Sequence, residues 1–372
     1  VKLPTTVKIT PMSLSIAIVG LPNVGKSTLF NALTDSNILA ANYPFATIEP
    51  NTGIVPVPDK RLAVLQEMYK TNKVIPASVT FVDIAGLVAG ASKGEGLGNQ
   101  FLSHIRSCDA IIQVVRGFSD ENVLRSDSSR EPSYDIEVIN TELVLADMQT
   151  VEKHFPKLEK EARANSKLKP ALDALAQTKE LLDQGKPIFT DSELRNKNSE
   201  LLPHLQLLTM KPIMYLFNID DNALQGRTLQ KELAELVAPA PAVFVSAKLE
   251  DELRGLDEHD RVDMLESYGQ TESGLDKVVH TAYELLGLQS YLTAGVQEVR
   301  AWTIHKGWTA PQAAGVIHGD FEKGFIAASI VNYNDLVEAG SEAGAKSAGK
   351  MRTEGKTYVM ADGDVVEFRF NN

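Results

Sequence analysis

Residues Gly20 to Ser27 read Gly-Leu-Pro-Asn-Val-Gly-Lys-Ser and fit the pattern G-x-x-x-x-G-K-S/T. Residues of these types at this spacing can hold a string of phosphates. Gly20 and Gly25 let the backbone curl with no Cβ in the way, so successive N–H groups point inward. The loop atoms offered to phosphate come from Asn23, Val24, Gly25, Lys26, Ser27 and Thr28. Lys26 brings a mobile cation to the β- and γ-phosphates, and the Ser27 hydroxyl can ligate Mg2+.

Four further groups stand where a nucleotide site needs them. Asp83-Ile84-Ala85-Gly86 follows an apolar strand ending at Val82. A carboxylate there can hold a water of the Mg2+ shell, and the Gly86 amide can sense the γ-phosphate. Thr47, in the loop Pro44 to Pro50, can complete the metal shell when the γ-phosphate is present. Asn218-Ile219-Asp220-Asp221 and Ser246-Ala247-Lys248 each end a strand, where base-reading loops belong. A guanine reader has Asn-Lys-x-Asp. This chain keeps Asn218 and Asp221 but has Ile219 for Lys. A carboxylate accepts the guanine N1–H and N2–H2 donors and is repelled by the adenine N1 acceptor. Asp221 therefore points toward guanine and the absent Lys away from it.

Leu87 occupies the position at which many switch GTPases carry a Gln that orients the attacking water. Leucine has no donor or acceptor, so slow intrinsic hydrolysis, completed by another group or a partner, is expected. Gly94, Gly96 and Gly98 make the next segment pliable, and a lid that orders with nucleotide is expected there. His104, His154 and His280 have no metal-ligand spacing and read as exposed surface or packing residues.

These groups need a scaffold. Leu14 to Val19, Gly53 to Val57, Ser78 to Val82, Ala110 to Val115, Pro212 to Phe217 and Ala242 to Val245 read as strands, the second an edge because of its prolines. Helix-forming sequence runs from Ile136 to Gln184 without a Gly and breaks near Ala164-Asn165-Ser166. Two antiparallel helices joined by a short turn explain it, inserted into one α/β domain. Lys153, Lys157, Lys160, Arg163, Lys167 and Lys169 lie near that turn, interleaved with Glu159 and Glu161. They form either a solvated coiled-coil face or a basic tip for RNA or an acidic partner. After Gly287 the sequence reads as a β-rich domain: a strand over Val296 to Ile304, a helix over Pro311 to His318, and a hairpin of Tyr358 to Met360 with Val365 to Phe368 around Asp362-Gly363.

The fold class expected is thus α/β: a P-loop nucleotide-binding domain with an inserted antiparallel helical hairpin and a C-terminal β-rich domain. The boundaries are 12–130 and 201–286 for the nucleotide domain, 131–200 for the hairpin and 287–372 for the last domain. Met12 is where the working protein is expected to start, with Val1 to Pro11 an extension.

The chain of 372 residues has a formal net charge of −12. That argues against a broad, sequence-blind grip on nucleic acid, so DNA is not an expected partner and any RNA-facing surface must be a local patch. From Gly287 onward 8 Lys/Arg face 10 Asp/Glu, which gives that domain no net basic footprint. No apolar stretch approaches the length of a membrane span. The single Cys108 excludes an internal disulfide and fits a reducing, cytoplasmic compartment.

The chain resembles the YchF/Obg-like ATPase family from about Ser13 to Phe370. The resemblance rests on the runs Gly20 to Leu33, Asn42 to Asn51, Asp83 to Val88, Lys93 to Phe101 and Thr309 to Gly315. It implies an N-terminal nucleotide domain, the inserted hairpin and a C-terminal TGS domain of β-grasp type. It also implies ATP in preference to GTP, Mg2+ as cofactor, and the ribosome, through its RNA or protein, as partner. Asn23 is similar to the Asn that helps some relatives hold K+. The family often carries a His in the loop where this chain has Arg125, so that route to hydrolysis is not carried over. The leading expectation is a nucleoside triphosphatase that switches shape. The competing ones are an RNA- or protein-binding adaptor with incidental hydrolysis and a small-molecule kinase.

Overall fold

The computed structural model describes residues 14–35, 51–84, 97–119 and 131–371. Val1 to Pro11, Thr47, Gly86, Leu87, Gly94, Gly96 and Arg125 lie outside the described residues. The chain groups into two compact units, 15–54 with 80–285 and 55–79 with 286–372.

In chain order the first part runs β1 (Ser15–Gly20), α1 (Lys26–Asp35), β2 (Thr52–Pro56), α2 (Lys60–Tyr69), β3 (Val74–Ile75), β4 (Ser78–Asp83), α3 (Leu97–Ser107) and β5 (Ala110–Arg116). Next come α4 (Pro132–Ala164), α5 (Lys169–Asp183), α6 (Ser192–Leu201), β6 (Ile213–Asn218), α7 (Arg227–Val237), β7 (Ala242–Val245), α8 (Ala247–Leu253), α9 (Glu258–Ser267) and α10 (Gly274–Leu285). The sheet order is β2-β4-β1-β5-β6-β7, with β4, β1, β5, β6 and β7 parallel. β5 and β6 are buried along their whole length, as parallel strands covered on both faces must be. β2 ends the sheet, as its prolines suggest.

The parallel arrangement decides where chemistry can happen. β1 ends at Gly20, β4 at Asp83, β6 at Asn218 and β7 at Val245, so the loops after all four leave from one edge of the sheet. That is the edge at which open α/β sheets bind ligands.

The hairpin forms where the three- and four-residue periodicity places it. α4 and α5 pack together around a core that includes Val151, Ala171, Ala174, Leu175 and Leu182. At the turn, Asn165 Oδ1 accepts from Lys167 N at 3.1 Å, and Pro170 lies in the first turn of α5, where its missing N–H costs nothing. The six basic side chains near the turn are exposed. Asp147 anchors the middle of α4: fully buried, it accepts from Leu208 N at 2.7 Å, Thr209 N at 2.8 Å and Thr209 Oγ1 at 2.7 Å. Burial pushes its carboxyl up to about 6 against the pull of those bonds.

The second unit continues with β8 (Leu288–Ala294), β9 (Val299–His305), α11 (Ala310–Ile317), α12 (Gly319–Lys323), β10 (Phe325–Asn332), α13 (Tyr333–Ala339), α14 (Glu342–Ser347), β11 (Arg352–Glu354) and β12 (Asp364–Phe370). Its mixed sheet has the order β11-β10-β12-β8-β9-β3, and Tyr291, Ile304 and Ile330 form a core with Ala313 of α11. β3 and α2 come from residues 55–79: β3 pairs in parallel with β9, and α2 packs on β8 and β9.

Three local expectations are corrected here. Tyr358 to Met360 is not a strand; Val359 makes a single bridge to Thr309. β12 instead pairs antiparallel with β10 and parallel with β8. Asp362 Oδ1 accepts from Ser290 N at 2.9 Å, and Gly363 N donates to Ser290 O at 2.9 Å. The Asp-Gly turn thus docks on β8 rather than closing a hairpin. The strand with Trp302 begins at Val299, and exposed Val296 lies in the turn before it. Of the three histidines, His104 is exposed, while His154 and His280 are half-buried. Among the described residues no helix is long and apolar enough to cross a membrane.

Candidate nucleotide-binding site

The phosphate loop leaves β1 at Gly20 and enters α1 at Lys26. The first hydrogen bond of α1 runs from Leu29 N to Gly25 O at 3.0 Å, so the N–H groups of Lys26, Ser27 and Thr28 precede the helical ladder. They stand at the positive end of the helix dipole, which favours an anion. Ser27 and Thr28 are exposed, whereas Lys26 is buried and its Nζ pairs with Asp83 Oδ1 at the end of β4. The two oppositely charged groups singled out by their motifs thus meet, although 57 residues separate them.

Asn218 ties the phosphate loop to the second base loop. Its Nδ2 donates to Val24 O at 3.1 Å, and its Oδ1 accepts from Ala247 N at 3.1 Å. Gly25 is required twice over. It adopts φ +92°, and a Cβ there would fall 2.3 Å from Asn218 Nδ2. Ile219 is buried, and its N–H donates to Val245 O at 2.9 Å, which joins the ends of β6 and β7.

Asp221 sits at the centre of the base loops. Ser246 Oγ donates to its Oδ1, and Lys248 Nζ lies 3.4 Å from its Oδ2. The Asp221 contact raises the Lys248 ammonium above its ordinary pKa, first through the hydrogen bond and then through charge. Ser246 also caps α8 by accepting from Leu249 N at 3.2 Å. Asn218, Ile219, Asp221, Ser246, Ala247 and Lys248 are therefore one connected cluster. Thr47, Gly86 and Leu87 were expected here too and lie outside the described residues.

The donor chemistry fits a magnesium ion. A hydroxyl at Ser27 and, through a water, a carboxylate at Asp83 are hard oxygen donors of the kind that Mg2+ takes. Ser27 faces solvent at the start of α1, and Asp83 already sits beside the Lys26 cation.

Sequence reasoning missed Glu250. It is buried, and it accepts from Gly274 N at 2.6 Å. Its one signal was an acidic residue four positions after Ser246, which the exposed acids Asp251 and Glu252 beside it masked.

A phosphate loop, a paired Lys and Asp, and two linked base loops, all at one edge of a parallel sheet, define the class: a P-loop nucleotide-binding protein built like a GTPase. A family model described as a 50S ribosome-binding GTPase matches residues 15–146. A second, for the C-terminal part of YchF GTPases and described as a protein of unknown function, matches residues 288–371. The chain is 50% identical over 366 residues to the ribosome-binding ATPase YchF of Bacillus subtilis, with 97% of this chain and all of the relative covered. It is 44% identical to Obg-like ATPase 1 of Rattus norvegicus, covering 96% of this chain and 93% of the relative. The structure of the Schizosaccharomyces pombe YchF GTPase superposes with a TM-score of 0.84 at 39% identity, covering 96% of this chain and 98% of that one. The chain belongs to the YchF/Obg-like ATPase family.

Proposed function

We propose that this chain is a Mg2+-dependent nucleoside triphosphatase, ATP being preferred, that works as a conformational switch on the ribosome in the cytoplasm. The observation that carries the reading is the Lys26–Asp83 pair at the mouth of the phosphate loop. A magnesium triphosphate offers each of these groups a stronger partner: the anion for Lys26, the metal shell for Asp83. Lys26 then neutralises charge on the β- and γ-phosphates as the bond between them breaks. Ser27 would ligate Mg2+, Asp83 would hold it through a water, Thr47 would complete its shell, and the Gly86 amide would sense the γ-phosphate. When bound, Mg2+ would supply charge neutralisation to the phosphate oxygens. Leu87 offers the attacking water no hydrogen bond, so its orientation falls to another group or to the partner. Asn23 as part of a K+ site is a further element of the proposal.

The relatives' names support ATP and the ribosome: they are called ribosome-binding ATPases. The proposed division is a nucleotide domain over 12–130 (less residues 55–79) and 201–286, a coiled-coil hairpin over 131–200 and a TGS-like domain over 287–372, to which residues 55–79 are added. A second reading, guanine preference, has its own observation. Asp221 is held by Ser246 and Lys248 in register with a guanine acceptor. Competition between ATP and GTP for the Mg2+-loaded chain separates the two, with ATP expected to bind more tightly. Lys26→Ala is expected to abolish phosphate release, and Leu87→Ala to change it little. Ordinary turnover in Lys26→Ala would contradict the mechanism.

A further inference from the structure

The Ser246–Lys248 loop is the cap and first turn of α8, a helix of seven residues. A helix that short has little stability of its own, so its pose must come from its contacts. At its front, Ala247 N bonds Asn218 Oδ1, and Ser246 Oγ bonds Asp221. On one side it packs against α1, the helix that starts with Lys26.

Behind the loop, Glu250 N donates to Ser246 O at 3.0 Å, so its side chain leaves α8 one turn past the loop. That side chain runs to the start of α10. Glu250 Oε1 accepts from Gly274 N at 2.6 Å, and the Leu275 N–H also bonds the carboxyl. α10 in turn packs on β6 and β7, the strands that end in the two base loops. The fit is close: a Cβ on Gly274 would fall 3.0 Å from Glu250 Oε1 and 2.9 Å from Val245 Cγ2. A buried carboxyl is costly unless its hydrogen bonds are made, and here they are made to the positive end of a 12-residue helix.

We propose that Glu250 is a positioning residue for nucleoside recognition, locking α8 to α10 so that the Ser246–Lys248 loop is held against Asn218 and Asp221. The proposal rests on the nucleotide-binding reading. Glu250 itself meets no ligand and acts through α8. Removing its carboxyl orphans the Gly274 and Leu275 N–H groups and lets α8 turn. The nucleoside half of the site then loses alignment. The phosphate half, built by Gly20 to Thr28, touches α8 through α1 but keeps its own tie to Asn218 at Val24 O, so it is expected to feel the loss of the lock less.

The test uses the full chain with Mg2+ and measures dissociation constants for ATP, GTP and inorganic tripolyphosphate. In Glu250→Ala, ATP and GTP are expected to bind about tenfold or more weakly, with tripolyphosphate within about twofold of wild type. In Glu250→Gln, whose amide oxygen can still accept from Gly274 N, nucleotide affinity is expected to return to within about threefold. Gly274→Ala disturbs the same contact from the other side with the carboxyl intact, and it is expected to reproduce the nucleoside-selective loss should Glu250→Ala fail to fold. Equal weakening of all three ligands, or no change in any, overturns the proposal. Wild-type chain that binds none of the three overturns the nucleotide reading and this one with it. Wild-type chain that binds tripolyphosphate, with variants that show no selectivity, overturns the lock alone.

Discussion

Asn218 uses both ends of its amide on the scaffold, one on Val24 O and one on Ala247 N. It stood out in the sequence because Asn at a strand end, with a carboxylate three residues on, is a recognisable pattern. Its partners were not legible, because they lie 194 and 29 residues away in sequence. Asn218→Ala is expected to cost about 1–3 kcal/mol of stability, since it leaves a buried carbonyl and a buried N–H without partners. Urea unfolding measures this, and a change below about 0.5 kcal/mol would mean that the clamp is slack. Glu250 allows a pH test. Burial, opposed by the Gly274 N–H bond and by Arg261 and reinforced by Asp276, pushes its carboxyl from an ordinary 4.5 up to about 7. The folded chain therefore holds this proton to higher pH than the unfolded chain does. The contribution of this group to stability falls as pH rises from about 4.5 to about 7. Over that window the thermal midpoint of Glu250→Gln is expected to decline less steeply with pH than that of wild type. Parallel slopes would show that Glu250 does not titrate there.

Helices α4 and α5 were the most legible elements, since a long Gly-free segment with apolar residues at three- and four-residue steps has few other solutions. Leu175, at the centre of their shared core, is fully buried. Leu175→Ala is expected to cost about 2–5 kcal/mol, seen as a lower unfolding midpoint. Exposed Lys160→Ala nearby is expected to change it by under about 0.5 kcal/mol. β12 was half legible. Its alternation marked a strand, but Asp362-Gly363 also has the composition of a hairpin turn. What decided the outcome was long-range: Ser290 on β8 bonds both turn residues, and β10 supplies a ladder that Tyr358 to Met360 does not. β3 was not legible at all, because two residues carry no periodicity and its partner β9 lies more than two hundred residues on.

At the level of the whole chain, composition zones gave the order of the parts but not their membership. Residues 55–79 lie within the span that the sequence assigns to the nucleotide domain, yet they group with the C-terminal unit. Arg61 shows why. It bonds Asp59 Oδ1 and Oδ2 at 2.8 Å each and Asp362 Oδ2 at 2.8 Å, while Asp59 caps α2. Tyr69 adds a bond to Glu342 at 2.6 Å. A fragment of residues 286–372 alone lacks the strand that covers β9 and the helix that covers β8. It is expected to be unstable or to aggregate, whereas the full chain melts cooperatively; circular dichroism of both checks this. In the proposed function, one pocket at the edge of the parallel sheet binds a magnesium triphosphate through Lys26 and the phosphate loop. Calorimetric titration of Mg-ATP into wild type and Lys26→Ala tests it most directly. One site per wild-type chain is expected, with affinity lost by about a hundredfold or more in Lys26→Ala. No binding of any purine di- or triphosphate to wild type, or equal binding by both proteins, would contradict the account.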